Sequence, residues 1–204
     1  MQSFFVPAAP VSVTAEIKKS RFITLVAPTR GVDAAKGLIL QVKADHPSAT
    51  HHCWAYIAGP PQDSRQYGFS DDGEPSGTAG RPMLAQLQGS GVGEITAVTA
   101  RYFGGIKLGT GGLVRAYGSG VQQALKLMER REITPRITFI VNCRYGQQAW
   151  VELAIKQVEG LIVESDYGET IAFKVAVPFN RVAEAGQKLG DISRGALHLE
   201  PLAG

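Results

Sequence analysis

The sequence is short of the features that staple, anchor or unfold a chain. Its only two cysteines, Cys53 and Cys143, lie far apart and each sits in strand-like sequence, which excludes a disulfide-built scaffold and predicts two buried free thiols. No run approaches the roughly 20 apolar residues that cross a bilayer, so no membrane association is expected. The opening Met1-Gln2-Ser3-Phe4-Phe5-Val6-Pro7 lacks a basic n-region, and Pro7 and Pro10 break its one apolar stretch. A secretory signal is therefore not expected, and the predicted location is cytoplasmic. Neither sign of charge dominates, with 21 basic residues against 18 acidic ones, and 44% of the residues are hydrophobic; this excludes a disordered polyelectrolyte. The chain also has no EF-hand loop, no HExxH helix, no nucleophile elbow and no Rossmann fingerprint.

Glycine is what the chain has in excess. There are 24 in 204 residues, against a usual share of about 7%. Charge is also unevenly placed: residues 1–132 carry 14 basic and 10 acidic side chains (net +4), and residues 133–204 carry 7 and 8 (net −1). A polyanionic partner is expected to meet the first part.

The pattern predicts two domains, 1–132 and 133–204, each a two-layer α/β sandwich, for an α+β chain overall. In the second, Ile137, Phe139, Val141 and Cys143 alternate as a strand, and Trp150, Leu153, Ala154 and Val158 follow at helical spacing. Leu161 and Val163 start a strand, and Ile171, Phe173, Val175 and Val177 form another. Val182, Ala185 and Leu189 mark a second helix, and residues 196–199 supply a last strand. The resulting β-α-β-β-α-β order is the split βαβ, ferredoxin-like pattern. In the first domain, Val32, Ala35, Ile39 and Val42 share a helix face, and residues 50–58 read as a strand with Trp54 and Tyr56 opposite Cys53, Ala55 and Ile57. A short helix holds Met83, Leu84 and Leu87, residues 95–103 form a strand, and Leu113, Val114, Tyr117, Val121, Leu125 and Met128 make a strongly amphipathic helix.

Three passages could carry chemistry. Between the last strand and helix of the first domain lie Gly104, Gly105, Gly109, Gly111 and Gly112, five glycines in nine residues, with Arg101, Lys107, Thr110 and Arg115 around them. Bare amides at a helix N-terminus attract anions; equally, such glycines can serve left-handed turns and close packing. Both readings stand on the sequence. The passage is not a Walker A loop, because Gly109 is followed by Thr110 rather than Lys-Ser/Thr. Beyond it, Arg115, Ser119, Gln122 and Lys126 line one helix face, and Arg130 and Arg131 extend it. A ridge of this kind can track phosphates, although the spacing alone favours a solvated face.

The second passage, 70–82, holds Asp71, Asp72 and Glu74. Three carboxylates in four residues could bind a hard cation or act as acid and base, but Ser76 and Thr78 are cap candidates for the helix containing Pro82 and acidic residues before a helix start are favoured electrostatically, so capping is the preferred reading. The third, His51-His52-Cys53, cannot converge on one ion, because alternate strand residues face opposite ways. His52, Trp54 and Tyr56 share a face that could stack on bases, and packing beneath a helix is the simpler account. No cofactor and no metal are expected.

The segments 46–56, 71–80 and 101–117, taken in order, resemble the IMPACT family, and the whole chain is similar to its bacterial two-domain members. The resemblance implies a first domain like the second domain of ribosomal protein S5, a fold shared with domain IV of elongation factor G. It implies a second domain like that factor's ferredoxin-like domain V. It also suggests contact with RNA or the ribosome, by analogy of fold. Eukaryotic relatives regulate translation initiation through an additional N-terminal domain, and that mechanism is not carried over to a chain that opens on the shared domain. The expected function is therefore that of a non-enzymatic RNA- or ribosome-associated protein modulating translation. The phosphate contacts would come from Arg101, the loop glycines, Lys107, Thr110, Arg115, Lys126, Arg130 and Arg131. The rival is a metal-assisted hydrolase or phosphotransfer enzyme built on Asp71, Asp72 and Glu74.

Overall fold

The computed structural model describes residues 3–202, which divide into two units: residues 4–133, and residues 134–202 together with Ser3.

The first unit runs β1 (Phe4–Pro7), β2 (Val11–Ile17), β3 (Ser20–Pro28), α1 (Val32–Asp45), β4 (His51–Ile57), β5 (Tyr67–Ser70), α2 (Gly80–Ser90), β6 (Ile95–Tyr102), α3 (Thr110–Leu127) and β7 (Arg130–Ile133). Five strands form an antiparallel sheet in the order β2-β3-β6-β4-β5. Alternation along β4 sends Cys53, Ala55 and Ile57 to one face, where Met83 and Leu87 of α2 and Leu113, Tyr117 and Val121 of α3 complete a core. Tyr56 points the other way and packs with Ala35, Ile39 and Val42 of α1. The sheet is thus covered on both faces, and the two-layer expectation for this unit is corrected to three layers. Its central strand β6 shows the consequence, being buried from Ile95 to Arg101 without polar alternation.

Arg130 and Arg131 do not extend the helical ridge, which corrects the expected continuation. α3 ends at Leu127, Met128 turns to an extended backbone, and Arg130–Ile133 pairs antiparallel with β1, Phe4 opposite Ile133 and Pro7 opposite Arg130.

The second unit runs β8 (Arg136–Cys143), α4 (Gln148–Gln157), β9 (Leu161–Tyr167), β10 (Ile171–Pro178), α5 (Val182–Ser193) and β11 (Glu200–Pro201). The antiparallel sheet has the order β11-β8-β10-β9, and the β-α-β-β-α-β succession is the expected one. Val141, Phe173 and Val175 meet Val151, Ala154 and Ile155 of α4 and Ala185 and Leu189 of α5 on one sheet face. The buried stripe of α4 is therefore Val151-Ala154-Ile155-Val158, not the expected Trp150-Leu153-Ala154-Val158; Trp150 and Leu153 are exposed. The last strand also comes later than residues 196–199, because Leu197 drops into the core before Glu200 reaches Ile140 on β8.

Candidate functional site

The acidic turn lies between β5 and α2. Asp72 and Gly73 both have positive φ, 43° and 87°, and this left-handed step sends the three carboxylates in three directions. Asp71 Oδ1 accepts the Ala79 and Gly80 amides at 3.0 and 2.9 Å, and its Oδ2 accepts Gly77 N–H at 2.8 Å, closing the N-terminus of α2. Asp72 accepts the His52 amide at 2.7 Å and Lys43 Nζ at 3.2 Å. Glu74 turns inward, its side chain 3% exposed, and Oε1 accepts Arg101 Nη1 at 2.6 Å and Tyr117 Oη at 2.7 Å. The helix entry is thus capped by Asp71 and not by the expected Ser76 or Thr78; the Thr78 hydroxyl donates to the Pro75 carbonyl instead. The three carboxylates meet at no common point, and no cluster of three or more His, Cys, Asp or Glu poised for a metal occurs among the described residues.

Arg101 was expected at the phosphate surface, and the geometry corrects this. Its side chain is 6% exposed, it donates to Glu74 and to Ser20 Oγ, and its guanidinium lies 5.4 Å from the Phe22 ring centroid and 5.5 Å from that of Phe103. A buried guanidinium held by a carboxylate orders the core; it does not reach a polymer outside. Cys53 and Tyr117 belong to the same interior. Burial pushes the Cys53 thiol up to about 12, against a lowering contact from Tyr117, and nearby carboxylates add to the rise. Burial is also the largest cause raising the Tyr117 phenol.

The glycine loop follows. Phe103 and Gly104 spend their amides on Thr50 Oγ1 and Ser20 Oγ, each at 3.2 Å. Gly104 is required by space: a Cβ there would lie 2.0 Å from the Lys19 carbonyl carbon and oxygen. Gly109 is required by conformation, with φ 77° at the N-cap of α3. The first intrahelical bond runs from Leu113 N–H to the Gly109 carbonyl, so the amides of Thr110, Gly111 and Gly112 precede the ladder and stay unclaimed by it. The packing and turn reading thus describes Gly104 and Gly109.

His52, Trp54 and Tyr56 do share a face, but it is the one beneath α1. Trp54 and Tyr56 stack at 5.5 Å with rings 4° apart, while His52 and Tyr56 are each only 9% exposed and His52 Nε2 is 2.8 Å from the His46 carbonyl oxygen. The proposed stacking surface is therefore not an open one.

Two concavities of this unit bear on the site. One, of about 820 Å³, is a groove between α2 and α3 whose charged lining is Lys18, Arg81 and Arg115, with Gln86 and Gln122 between them and no carboxylate. The ridge Arg115-Ser119-Gln122 lines it as the spacing suggested, whereas Lys126 is exposed outside it and Arg130 and Arg131 lie on β7. The other, of about 410 Å³, lies under the glycine loop and is lined by His51, Glu74, Arg101, Lys107, Gly109 and Thr110, among others. Sequence reasoning gave no role to Lys18, Arg81, His51 or Tyr117. The one available signal was Tyr117, a hydroxyl on an apolar stripe that needed a buried partner.

An α/β domain whose acidic turn and glycine loop close on a shared polar interior is the class this geometry defines, and residues 18–125 match the family described as Impact N-terminal domain. Residues 141–196 match a second, described as Domain of unknown function (DUF1949). The chain belongs to the IMPACT family. It is 57% identical to IMPACT family member YigZ of Escherichia coli K12 over 199 residues, 98% of each chain. It is 35% identical to IMPACT family member YvyE of Bacillus subtilis over 182 residues, 88% of this chain and 82% of that protein. A crystal structure described as that of an hypothetical protein superposes with a TM-score of 0.79 at 56% identity, covering 100% of this chain and 98% of that one.

Proposed function

We propose that the chain is a non-enzymatic RNA- or ribosome-associated protein of the cytoplasm that modulates translation, and that the groove between α2 and α3 is where it holds the phosphate backbone. On this reading the first unit has the fold of ribosomal protein S5 domain 2 and the second a ferredoxin-like fold, a pairing used elsewhere against ribosomal RNA. The observation that carries it is the groove's one-signed lining. Lys18, Arg81 and Arg115 are exposed, and among the described residues none of the three has a carboxylate within 4 Å. Three cations with no carboxylate that close, around an apolar floor, suit phosphates outside and bases or sugars against the floor.

Fluorescence anisotropy against single-stranded RNA, duplex RNA and ribosomes at several salt concentrations tests the reading. Binding is expected to saturate and to weaken steeply with salt. The double variant Arg81→Ala/Arg115→Ala removes two phosphate contacts, so its log–log salt slope on single strands becomes shallower by about 1.4, with little change in sequence preference. Binding that ignores both salt and the double substitution overturns the groove assignment.

A further inference from the structure

The pocket under the glycine loop has a different chemistry from the groove. One wall is the start of α3, an 18-residue helix, where Gly109, Thr110 and Lys107 line the pocket and the Thr110 amide lies outside the helical ladder. The Thr110 amide and hydroxyl and the Lys107 ammonium put three kinds of donor at the positive end of a helix dipole, one for each terminal oxygen of a phosphate.

The opposite wall asks for the reverse. Glu74 Oε1 takes both bonds from Arg101 and Tyr117, while among the described residues Oε2 makes no hydrogen bond; His51 Nε2 lies 3.8 Å from it. His51 Nδ1 lies 2.7 Å from the Asp72 carbonyl oxygen, which only accepts, so Nδ1 carries the hydrogen and Nε2 of the neutral ring is also an acceptor. Arg101 Nε, in the same wall, is buried without a partner. The Glu74 side chain is nine-tenths buried, so a donor for Oε2 must enter through the pocket. An O–H donor entering that space satisfies one of the two acceptors, and the charged Oε2 is the stronger.

We propose that this pocket binds a phosphate monoester carrying a free hydroxyl, with the phosphate on the α3 N-terminus and Lys107 and the hydroxyl donating to Glu74 Oε2 beside His51. Its volume suits a sugar phosphate or mononucleotide. Such a group reaches the pocket either as a free small molecule or as the phosphorylated end of an RNA chain. The assignment does not depend on the groove's binding RNA.

Isothermal titration of the full chain with inorganic phosphate, ribose, ribose 5-phosphate and adenosine 5′-monophosphate tests it. Ribose 5-phosphate is expected to bind at least fivefold tighter than inorganic phosphate, and ribose not at all. Lys107→Ala, at an exposed side chain, weakens both phosphate ligands about tenfold without affecting folding. Glu74→Gln puts a donor where an acceptor stood and abolishes the preference for the ester over inorganic phosphate. Should that variant fail to fold, Lys107→Ala alone decides. A 5′-phosphorylated oligoribonucleotide compared with its 5′-hydroxyl twin identifies the source. A phosphate-dependent gain that is lost in Lys107→Ala but kept in Arg81→Ala/Arg115→Ala marks an RNA end, and a preference confined to small esters marks a metabolite; both support the pocket. Equal binding of phosphate and ester, insensitivity to Lys107→Ala, or no saturable binding of any phosphate overturns it.

Discussion

Replacing Glu74 by alanine will destabilise the first unit by about 3–5 kcal/mol, the range for removing one partner of a buried ion pair. The Arg101 and Glu74 side chains are 6% and 3% exposed and meet at 2.6 Å. Without the carboxylate the guanidinium has only Ser20 Oγ at 3.4 Å, and the Tyr117 hydroxyl loses its acceptor. Set against a typical total of about 5–15 kcal/mol, that loss approaches unfolding. Tyr117→Phe takes away one donor and leaves the ion pair, so it should cost about 1–2 kcal/mol. Removing both charges with Arg101→Met/Glu74→Leu should cost less than Glu74→Ala alone, because no charge is then left unpaired. Hydrogen exchange of the β6 and α3 amides in increasing urea measures all three, and a Glu74→Ala loss under 1 kcal/mol would show the pair to be peripheral.

Asp71→Ala is expected to cost about 2 kcal/mol, the upper end for an N-cap, since three amides of the α2 entry lose one acceptor together. The loss depends on pH. Burial pushes the Asp71 carboxyl up, but the amides of Gly77, Gly80 and Ala79 and the charge of Arg81 outweigh it and hold the group below its ordinary value. The unfolded chain therefore takes up this proton at a higher pH than the folded one. The stabilisation is complete above the ordinary aspartate value of about 3.9 and is lost as pH falls through the lower folded value. Asp72 acts with the same sign, burial opposed and outweighed by the His52 amide and by Lys43. Unfolding free energies of wild type and Asp71→Ala, measured from neutral pH to about 2, should converge in acid; a gap that stays constant would place the stabilisation elsewhere.

Much of this architecture can be read in the sequence because the elements concerned carry their own period. The alternation at Ile171, Phe173, Val175 and Val177 and the stripe Leu113, Tyr117, Val121 and Leu125 are buried as patterned, whereas Val114, expected in that stripe, is exposed and lines the groove. What could not be read is set by distant partners. Four-residue β1 and β7 are too short to alternate convincingly, and each forms because the other, over a hundred residues away, supplies its hydrogen bonds. The same pairing, rather than any local stop signal, ends α3 before Arg130. In α4, Trp150, Val151, Leu153, Ala154 and Ile155 are all apolar, so helical spacing alone leaves two possible faces and the β-sheet chooses Val151 and Ile155. The acidic turn shows the limit most sharply. Nothing in Asp-Asp-Gly-Glu announces that Asp72 adopts a left-handed backbone, yet that one angle separates a cap, a surface tether and a buried counterion.

The two cysteines acquire a use from where they lie. Cys53 is 0% exposed in the first unit and Cys143 4% exposed in the second, and the chain has no other thiol. A thiol reagent can reach either sulfur only while its own unit is open. Labelling rates resolved by peptide mass thus become two independent clocks in one tube, each timing the opening of a single unit. A ligand seated in the first unit slows the Cys53 clock and leaves the other running at its own pace.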